Sequence, residues 1–325
     1  MVSTASGWAS NTARKAEPRM KILLLGKNGQ VGWELQRSLA PLGEVLALDR
    51  HSASQSGGES GAYCGDLNHP EQLAQTVLDY RPDFIVNAAA HTAVDKAEYE
   101  PELARRLNAE APAALAKAAA QIGAWLVHYS TDYVFDGSGN HTRQEGEGVG
   151  PLNVYGQTKL EGERAIVTSG CKYLIFRTSW VYAARGGNFA KTMLRLAQER
   201  ERLTVIDDQH GAPTGADLIA DITAHAMRRV LSTQSTSLSG VYHLVAAGET
   251  SWHGYAQHVI DTAKRMRPEL AWQVTEVAPV ATSAFPTPAA RPLNSRLCTN
   301  KLQQVFGLVL PPWQQGVDRM LAEIL

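Results

Sequence analysis

Cysteine is scarce in this chain of 325 residues. Cys64, Cys171 and Cys298 are odd in number, far apart and without paired spacing, so neither a disulfide framework nor a zinc site is indicated, and a reducing cytoplasm is the expected compartment. Long apolar runs are also missing, so no segment is expected to span a bilayer. No excess of either charge is present: 31 basic against 32 acidic residues leave a formal charge of -1, with no global pull toward nucleic acid or anionic membranes, and neither is expected as a partner. HExxH, EF-hand and GxxxxGK[ST] elements are absent, which removes the metal and P-loop chemistry they carry. Residues 1–19 lack the apolar core of a secretory signal. They are rich in Ser, Thr and Ala, and their basic trio Arg14, Lys15 and Arg19 can mimic a transit peptide. A cloning remnant or an early-called start is the expected reading, with this tail disordered, because Met20 opens a clean strand.

What is present is an ordinary globular composition, 44% apolar and 19% charged, in a chain long enough for two domains or one large one that buries about three quarters of its unfolded surface. Residues 21–25 (KILLL) are a continuous apolar run, the pattern of a strand covered on both faces of a parallel sheet. Gly26, Gly29 and Gly32 follow in GxxGxxG spacing, and residues 33–42 have helical periodicity. Strand, glycine turn and helix are the context of a dinucleotide site: the glycines allow a tight turn and close backbone approach to a pyrophosphate, and the helix N-terminus faces its charge. Residues 44–48 form a second strand ending in Asp49 and Arg50. Asp49 can hold the ribose hydroxyls of NAD, Arg50 the extra phosphate of NADP, or the two can be a solvated strand-end pair; NADH and NADPH both stay open.

Asp66 and Leu67 are expected near the adenine. Strand 83–87 ends in Ala88, Ala89, Ala90 and His91, where small side chains leave room for a flat cofactor, and His91 is either a contact or a loop histidine. An Ala-rich helix over 101–122 returns to a strand at 125–129, and strands continue at 172–176, 203–206 and 241–245. Strands alternating with helices predict an α/β fold with a doubly wound parallel sheet. After the 125–129 strand come Ser130, Thr131 and Asp132, and then a helix holding Tyr155 and Lys159 four residues apart, on one face. A phenol beside an ammonium is expected to have a lowered pKa. With the Thr131 hydroxyl the pair can protonate a carbonyl oxygen while its carbon is attacked; alone, the pair also fits an amphipathic helix surface.

Six phrases, GKNGQVGWEL, STDYVFDG, PLNVYGQTKLEGE, RTSWVY, DDQHGAPTG and RPLNSRL, occur in order from residue 26 to residue 297. With Asp49, Asp66, Leu67 and the run after Asn87 they make the chain resemble the extended short-chain dehydrogenase/reductase family from Met20 to the end. The resemblance implies a Rossmann-like domain (20–182 and about 203–245) with a smaller α/β domain (about 183–202 and 246–325) that holds a nucleotide sugar. It implies a reaction: the C4 ketone of a 6-deoxy-4-ketohexose on dTDP is reduced with NADH or NADPH, the last step to dTDP-L-rhamnose. It implies that Tyr155 donates the proton, Lys159 positions the nicotinamide ribose and Thr131 tunes the phenol. Thr131, Asp132 and Trp180 would touch the sugar; Gln30, Val31, Ala89, Ala90, His91 and Tyr129 would line the cofactor; Arg291 would meet the diphosphate or be a structural loop arginine. Some relatives are magnesium-bridged dimers, and the matching positions are Glu34, Asp217 and Glu323, which exposed helix charges also explain. Two alternatives accompany this reading. One is an epimerase or dehydratase with tightly held NAD, although Thr131 is followed by Asp132 and Tyr133 rather than the Asp-Glu pair of dehydratases. The other is a binding subunit resembling the beta subunit of methionine adenosyltransferase.

Overall fold

A computed structural model describes residues 19–52, 63–233 and 236–325. The expectations for the tail (apart from Arg19) and for most of the Ser/Gly-rich loop after Arg50 lie outside the described residues. The first half runs β1 (Lys21–Leu25), α1 (Gln30–Leu39), β2 (Glu44–Leu48), α2 (Pro70–Tyr80), β3 (Phe84–Asn87), α3 (Val94–Tyr99), α4 (Pro101–Arg105), α5 (Ala111–Ile122), β4 (Trp125–Thr131) and α6 (Val154–Thr168). The second half runs β5 (Lys172–Thr178), β6 (Val181–Tyr182), α7 (Phe189–Glu199), β7 (Arg202–Ile206), β8 (His210–Gly211), β9 (Thr214–Gly215), α8 (Ala216–Thr233), β10 (Gly240–His243), β11 (Thr250–Ser251), α9 (Trp252–Met266), β12 (Glu276–Val280), α10 (Asn300–Phe306) and α11 (Trp313–Ile324).

Six strands form one parallel sheet in the order β10-β5-β4-β3-β1-β2. The order reverses between β1 and β3, the switch point where open α/β sheets bind ligands at their carboxyl edge. The apolar run of β1 explains its central place. Ile22 and Leu24 pack on the side of α1 and α8, Leu23 and Leu25 on the side of α2 and α5, and all four are fully buried. Each such side chain stabilises the fold by about 1.5–3 kcal/mol, so this strand has no face to offer solvent.

The 101–122 helix is interrupted. Residues Arg106–Glu110 form a π-turn between α4 and α5. Pro112 lacks the N–H that an unbroken α-helix would send back one turn. The widened turn brings the Asn108 carbonyl against Gly162 of α6, where an added Cβ would lie 2.1 Å from that oxygen. Helix α6 therefore sits close over the sheet.

Strand β7 departs from the expected 203–245 segment of the nucleotide domain. It pairs with β12, parallel, and not with the six-stranded sheet. Leu203 packs on Ala197, Ile260 and Val274, because β7 alternates buried and exposed residues and offers only one face to a helix layer. Conversely, Leu302, Phe306 and Leu310, in the segment expected to belong wholly to the smaller domain, return to the core of the large sheet.

Candidate functional site

The carboxyl ends of β1 to β5 open into one cleft of about 810 Å³. Its floor is the glycine turn. Gly26 has φ +85°, and a Cβ there would lie 2.8 Å from the Ala89 nitrogen; a Cβ on Gly32 would lie 2.0 Å from the Gly26 carbonyl. Both positions exclude any side chain, and Gly29 caps α1 without a side chain over the helix N-terminus. Asn28, Gln30, Val31, Asp49, Arg50, Asp66, Leu67, Ala88, Ala89, Ala90 and Tyr129 line the same cleft. The Asp49 carboxylate is bound by the Asn28 amide of the glycine turn and, within its own loop, by the His51 N–H (2.9 Å) and the Ser52 hydroxyl (2.9 Å). Desolvation opposes its ionisation, but those loop hydrogen bonds hold it below the ordinary carboxylate range. A glycine cradle, an exposed helix start and a fixed acid at the second strand suit a nicotinamide dinucleotide.

The opposite wall carries Thr131, Asp132, Tyr155 and Lys159. Asn153 caps α6 by accepting the Gly156 N–H at 2.8 Å. Gly156 lies so close to the Tyr133 carbonyl that a Cβ would approach to 2.2 Å, which fixes the first turn of α6 on the turn after β4. That packing sets the Tyr155 ring edge-on to Tyr133, with centroids 5.5 Å apart.

Contrary to expectation, the Tyr155 phenol is raised, to about 12. Burial is the main cause and the Asp132 charge adds to it, while a hydrogen bond with Thr131 works the other way. The ammonium expected to lower it is engaged elsewhere: Lys159 Nζ donates to the Tyr129 carbonyl at 2.6 Å and lies 3.2 Å from His128 Nε2. Burial pushes Lys159 itself down to about 8 against the pull of Glu163. Asp132 is buried, raised to about 6 by desolvation, and one carboxylate oxygen has no partner within the protein. The hydroxyls of Ser130, Thr178 and Ser179 are likewise buried and unpaired at this wall. Such orphaned groups need a polar ligand.

Trp180 also lines the cleft, with φ +49°, a backbone conformation costly for a bulky residue. Its indole is stacked on Trp252 of α9, centroids 3.8 Å apart. Three expected contacts fall elsewhere. His91 turns its ring toward Glu100, 3.6 Å away, and its backbone N–H is held by Asn108. Arg291 binds Asp95 at 2.7 Å and the Ala289 carbonyl at 2.9 Å. Gly32 lies behind the turn rather than in the cleft wall. Glu34 pairs with Arg37, Asp217 with Arg319, and Glu323 is exposed. Among the described residues no three His, Cys, Asp or Glu gather to hold a metal ion, and no helix is long and apolar enough to cross a membrane.

The sheet, the glycine cradle and the Thr131/Tyr155/Lys159 wall define a Rossmann-type dehydrogenase/reductase of the extended short-chain kind. A family model described as the RmlD substrate binding domain matches residues 20–325, and the chain belongs to that family. Curated relatives include dTDP-4-dehydrorhamnose reductases of Salmonella typhimurium, 59% identical, and Escherichia coli K12, 58% identical; each alignment covers 94% of this chain and 98% of the relative. Among solved structures, the dTDP-4-dehydrorhamnose reductase of Bacillus anthracis in complex with NADP is 34% identical, with a TM-score of 0.80, over 94% of this chain and 99% of that one. The Thermus thermophilus UDP-glucose 4-epimerase complex with NAD, 19% identical at TM-score 0.72, shares the fold.

Proposed function

We propose that this chain is a dTDP-4-dehydrorhamnose reductase, converting dTDP-4-dehydro-L-rhamnose to dTDP-L-rhamnose with NADPH or NADH. One observation carries the reading: the half-buried Tyr155, with Thr131 and Lys159 on the same wall, shares a single cleft with the glycine cradle. The reduced nicotinamide supplies hydride to the C4 carbon. The chain supplies the rest. Tyr155 gives its proton to the oxygen that becomes an alkoxide, a step of positioned acid catalysis worth roughly 10²–10⁴-fold. A phenol raised to about 12 is fully protonated at neutral pH and well matched to an alkoxide, a much stronger base. Asp132, with its unpaired oxygen, accepts from a sugar hydroxyl, and Trp180 walls the sugar from water. The 26–32 turn would hold the dinucleotide, and the sheet edge with α9 the sugar nucleotide. This division puts residues 202–206 with the smaller domain.

The test is a panel of nucleotide 4-ketosugars assayed for oxidation of NADPH and of NADH by the purified protein. Turnover of the dTDP-linked 4-ketosugar with a freely exchanging cofactor supports the reductase. A cofactor that copurifies and does not exchange points to an epimerase, and nucleotide binding without turnover points to a binding subunit. Sizing the same protein with and without a chelator tests the metal: a dimer that dissociates would assign Glu34, Asp217 and Glu323 to a shared magnesium ion, and an assembly indifferent to chelation would withdraw that assignment.

A further inference from the structure

Behind Lys159 a buried polar chain runs from Asn87, at the edge of the cleft, through His128. Asn87, at the end of β3, is 1% exposed, as is His128 of β4. The Asn87 Nδ2 is 3.2 Å from His128 Nδ1, and His128 Nε2 is 3.2 Å from Lys159 Nζ. The orientation of the Asn87 amide is fixed from its other side: Oδ1 accepts the Ala89 N–H at 3.2 Å. Turning the amide over would set two donors against each other there. Nδ2 therefore faces the imidazole, and an amide nitrogen only donates. His128 Nδ1 must accept, so the neutral ring carries its proton on Nε2, aimed at the lysine.

Building on the reductase reading, we propose that Asn87 and His128 are positioning residues that present an N–H, rather than a lone pair, to Lys159, so that its ammonium gives up its proton more readily than an ordinary lysine. The balance is simple. Reduction consumes one hydride and the phenol proton, and the phenolate recovers a proton from solvent. An amine can accept the His128 Nε2–H at that distance while still donating to the Tyr129 carbonyl. An ammonium would meet the same N–H head-on.

The surroundings of α6 leave few other groups to set this balance. On α6 itself Glu163 raises the proton affinity of Lys159, and Arg177 of β5 engages Glu163. Asp132, on the turn after β4, acts on Tyr155. From the π-turn, Asn108 bonds Thr158 without charge. Glu161 is paired with Arg105 of α4 on the outer face, and Glu98 of α3 caps the Val154 N–H. Burial and the lysine charge together keep His128 itself far below its ordinary value, hence neutral.

The tautomer is directly measurable on the whole protein without added nucleotide. Long-range proton–nitrogen correlation spectra of histidine-labelled protein report which ring nitrogen carries the proton, and carbon shifts of labelled lysines report each titration midpoint. Lys159 is assigned by its loss in Lys159→Met. The expected result is a neutral His128 protonated on Nε2 and a Lys159 midpoint well below those of the other lysines. In Asn87→Asp the carboxylate keeps the Ala89 contact but accepts from Nδ1, so the imidazole proton moves there and Nε2 turns its lone pair to the lysine. The Lys159 midpoint then rises by a pH unit or more, about tenfold in proton affinity. A proton on Nδ1 in the unaltered protein, or a midpoint that Asn87→Asp leaves in place, overturns the proposal. Failure of the unaltered protein to reduce any 4-ketosugar would instead sink the reductase reading and leave the tautomer result standing.

Discussion

Replacing Glu163 by glutamine strikes the joint between the sheet and the helix that carries Tyr155 and Lys159. Arg177 reaches Glu163 through two bonds, Nε to Oε1 at 2.9 Å and Nη2 to Oε2 at 2.7 Å, with side chains 6% and 3% exposed. This is the paired, charge-assisted geometry in which a guanidinium matches a carboxylate best. Glutamine keeps the shape but loses the charge, and one of its terminal atoms becomes a donor facing a group that only donates. Removing one partner of a buried pair costs about 3–5 kcal/mol, because the remaining charge is stranded. The Phe135 ring beneath the guanidinium, 5.1 Å away, still offers it some compensation. The lower end, about 3 kcal/mol, is therefore expected, and at roughly 2–4 °C per kcal/mol the melting temperature should fall by about 6–12 °C. A second consequence is chemical. Glu163 is the group that supports the charge on Lys159 against burial. Without it the folded-state pKa of Lys159 drops further below its ordinary value, so the ammonium, and turnover with it, is lost at a lower pH. Thermal melts followed by circular dichroism and the pH profile of kcat check the two halves. A melting temperature as close to the parent as a surface substitution would leave it, together with an unmoved basic limb, would refute this account of the joint.

Tyr155→Phe should lower kcat by roughly 10²–10⁴-fold, the range of a single positioned acid, with the Kd for NADPH nearly unchanged; normal turnover would remove Tyr155 from its role. Gly32→Ala sets a Cβ 2.0 Å from the Gly26 carbonyl, so the turn must open, and titration by nucleotide fluorescence should show dinucleotide binding weakened at least tenfold; binding within twofold of the parent would mean the turn does not cradle the cofactor. Asp132→Asn separates stability from function. Burial raises the Asp132 pKa to about 6 from its ordinary 3.8, so its favourable contribution is full below the lower value and is lost as pH rises through the higher one. Above that window the amide variant should be the more stable protein, by on the order of 2–3 kcal/mol, while KM for the sugar nucleotide rises. Equal stability of the two proteins across that window would show that the carboxyl is not held protonated by its surroundings.

The nucleotide half of the molecule was legible because its signals are local. The KILLL run, the glycine spacing and the acid ending β2 all lie within 30 residues of sequence, and from farther along the chain the turn meets only small residues, Ala88 and Ala89, at Gly26. Strand β7 was misplaced because a strand of four or five residues says what it buries and not which sheet it joins; its partner β12 lies some 70 residues on. The lowering expected for Tyr155 failed for a related reason. Spacing on a helix places Lys159 on the right face but cannot reveal that its amine is claimed by the Tyr129 carbonyl and His128. That claim left a trace all the same. Along β4, Leu126 packs on the face covered by α5 and α6 while Trp125, Val127 and Tyr129 pack on the other. Period-2 alternation therefore puts His128 under α6, the helix that bears Lys159. The same alternation along β5 puts Arg177 on the face of Ile175, opposite Glu163. A histidine and an arginine on the inner face of otherwise apolar strands must each find a partner in the covering layer, and the helix above them offers a lysine and a glutamate at those two places. Polar residues at core positions of neighbouring strands thus point to the helix that carries the chemistry even when the contacts themselves span dozens of residues.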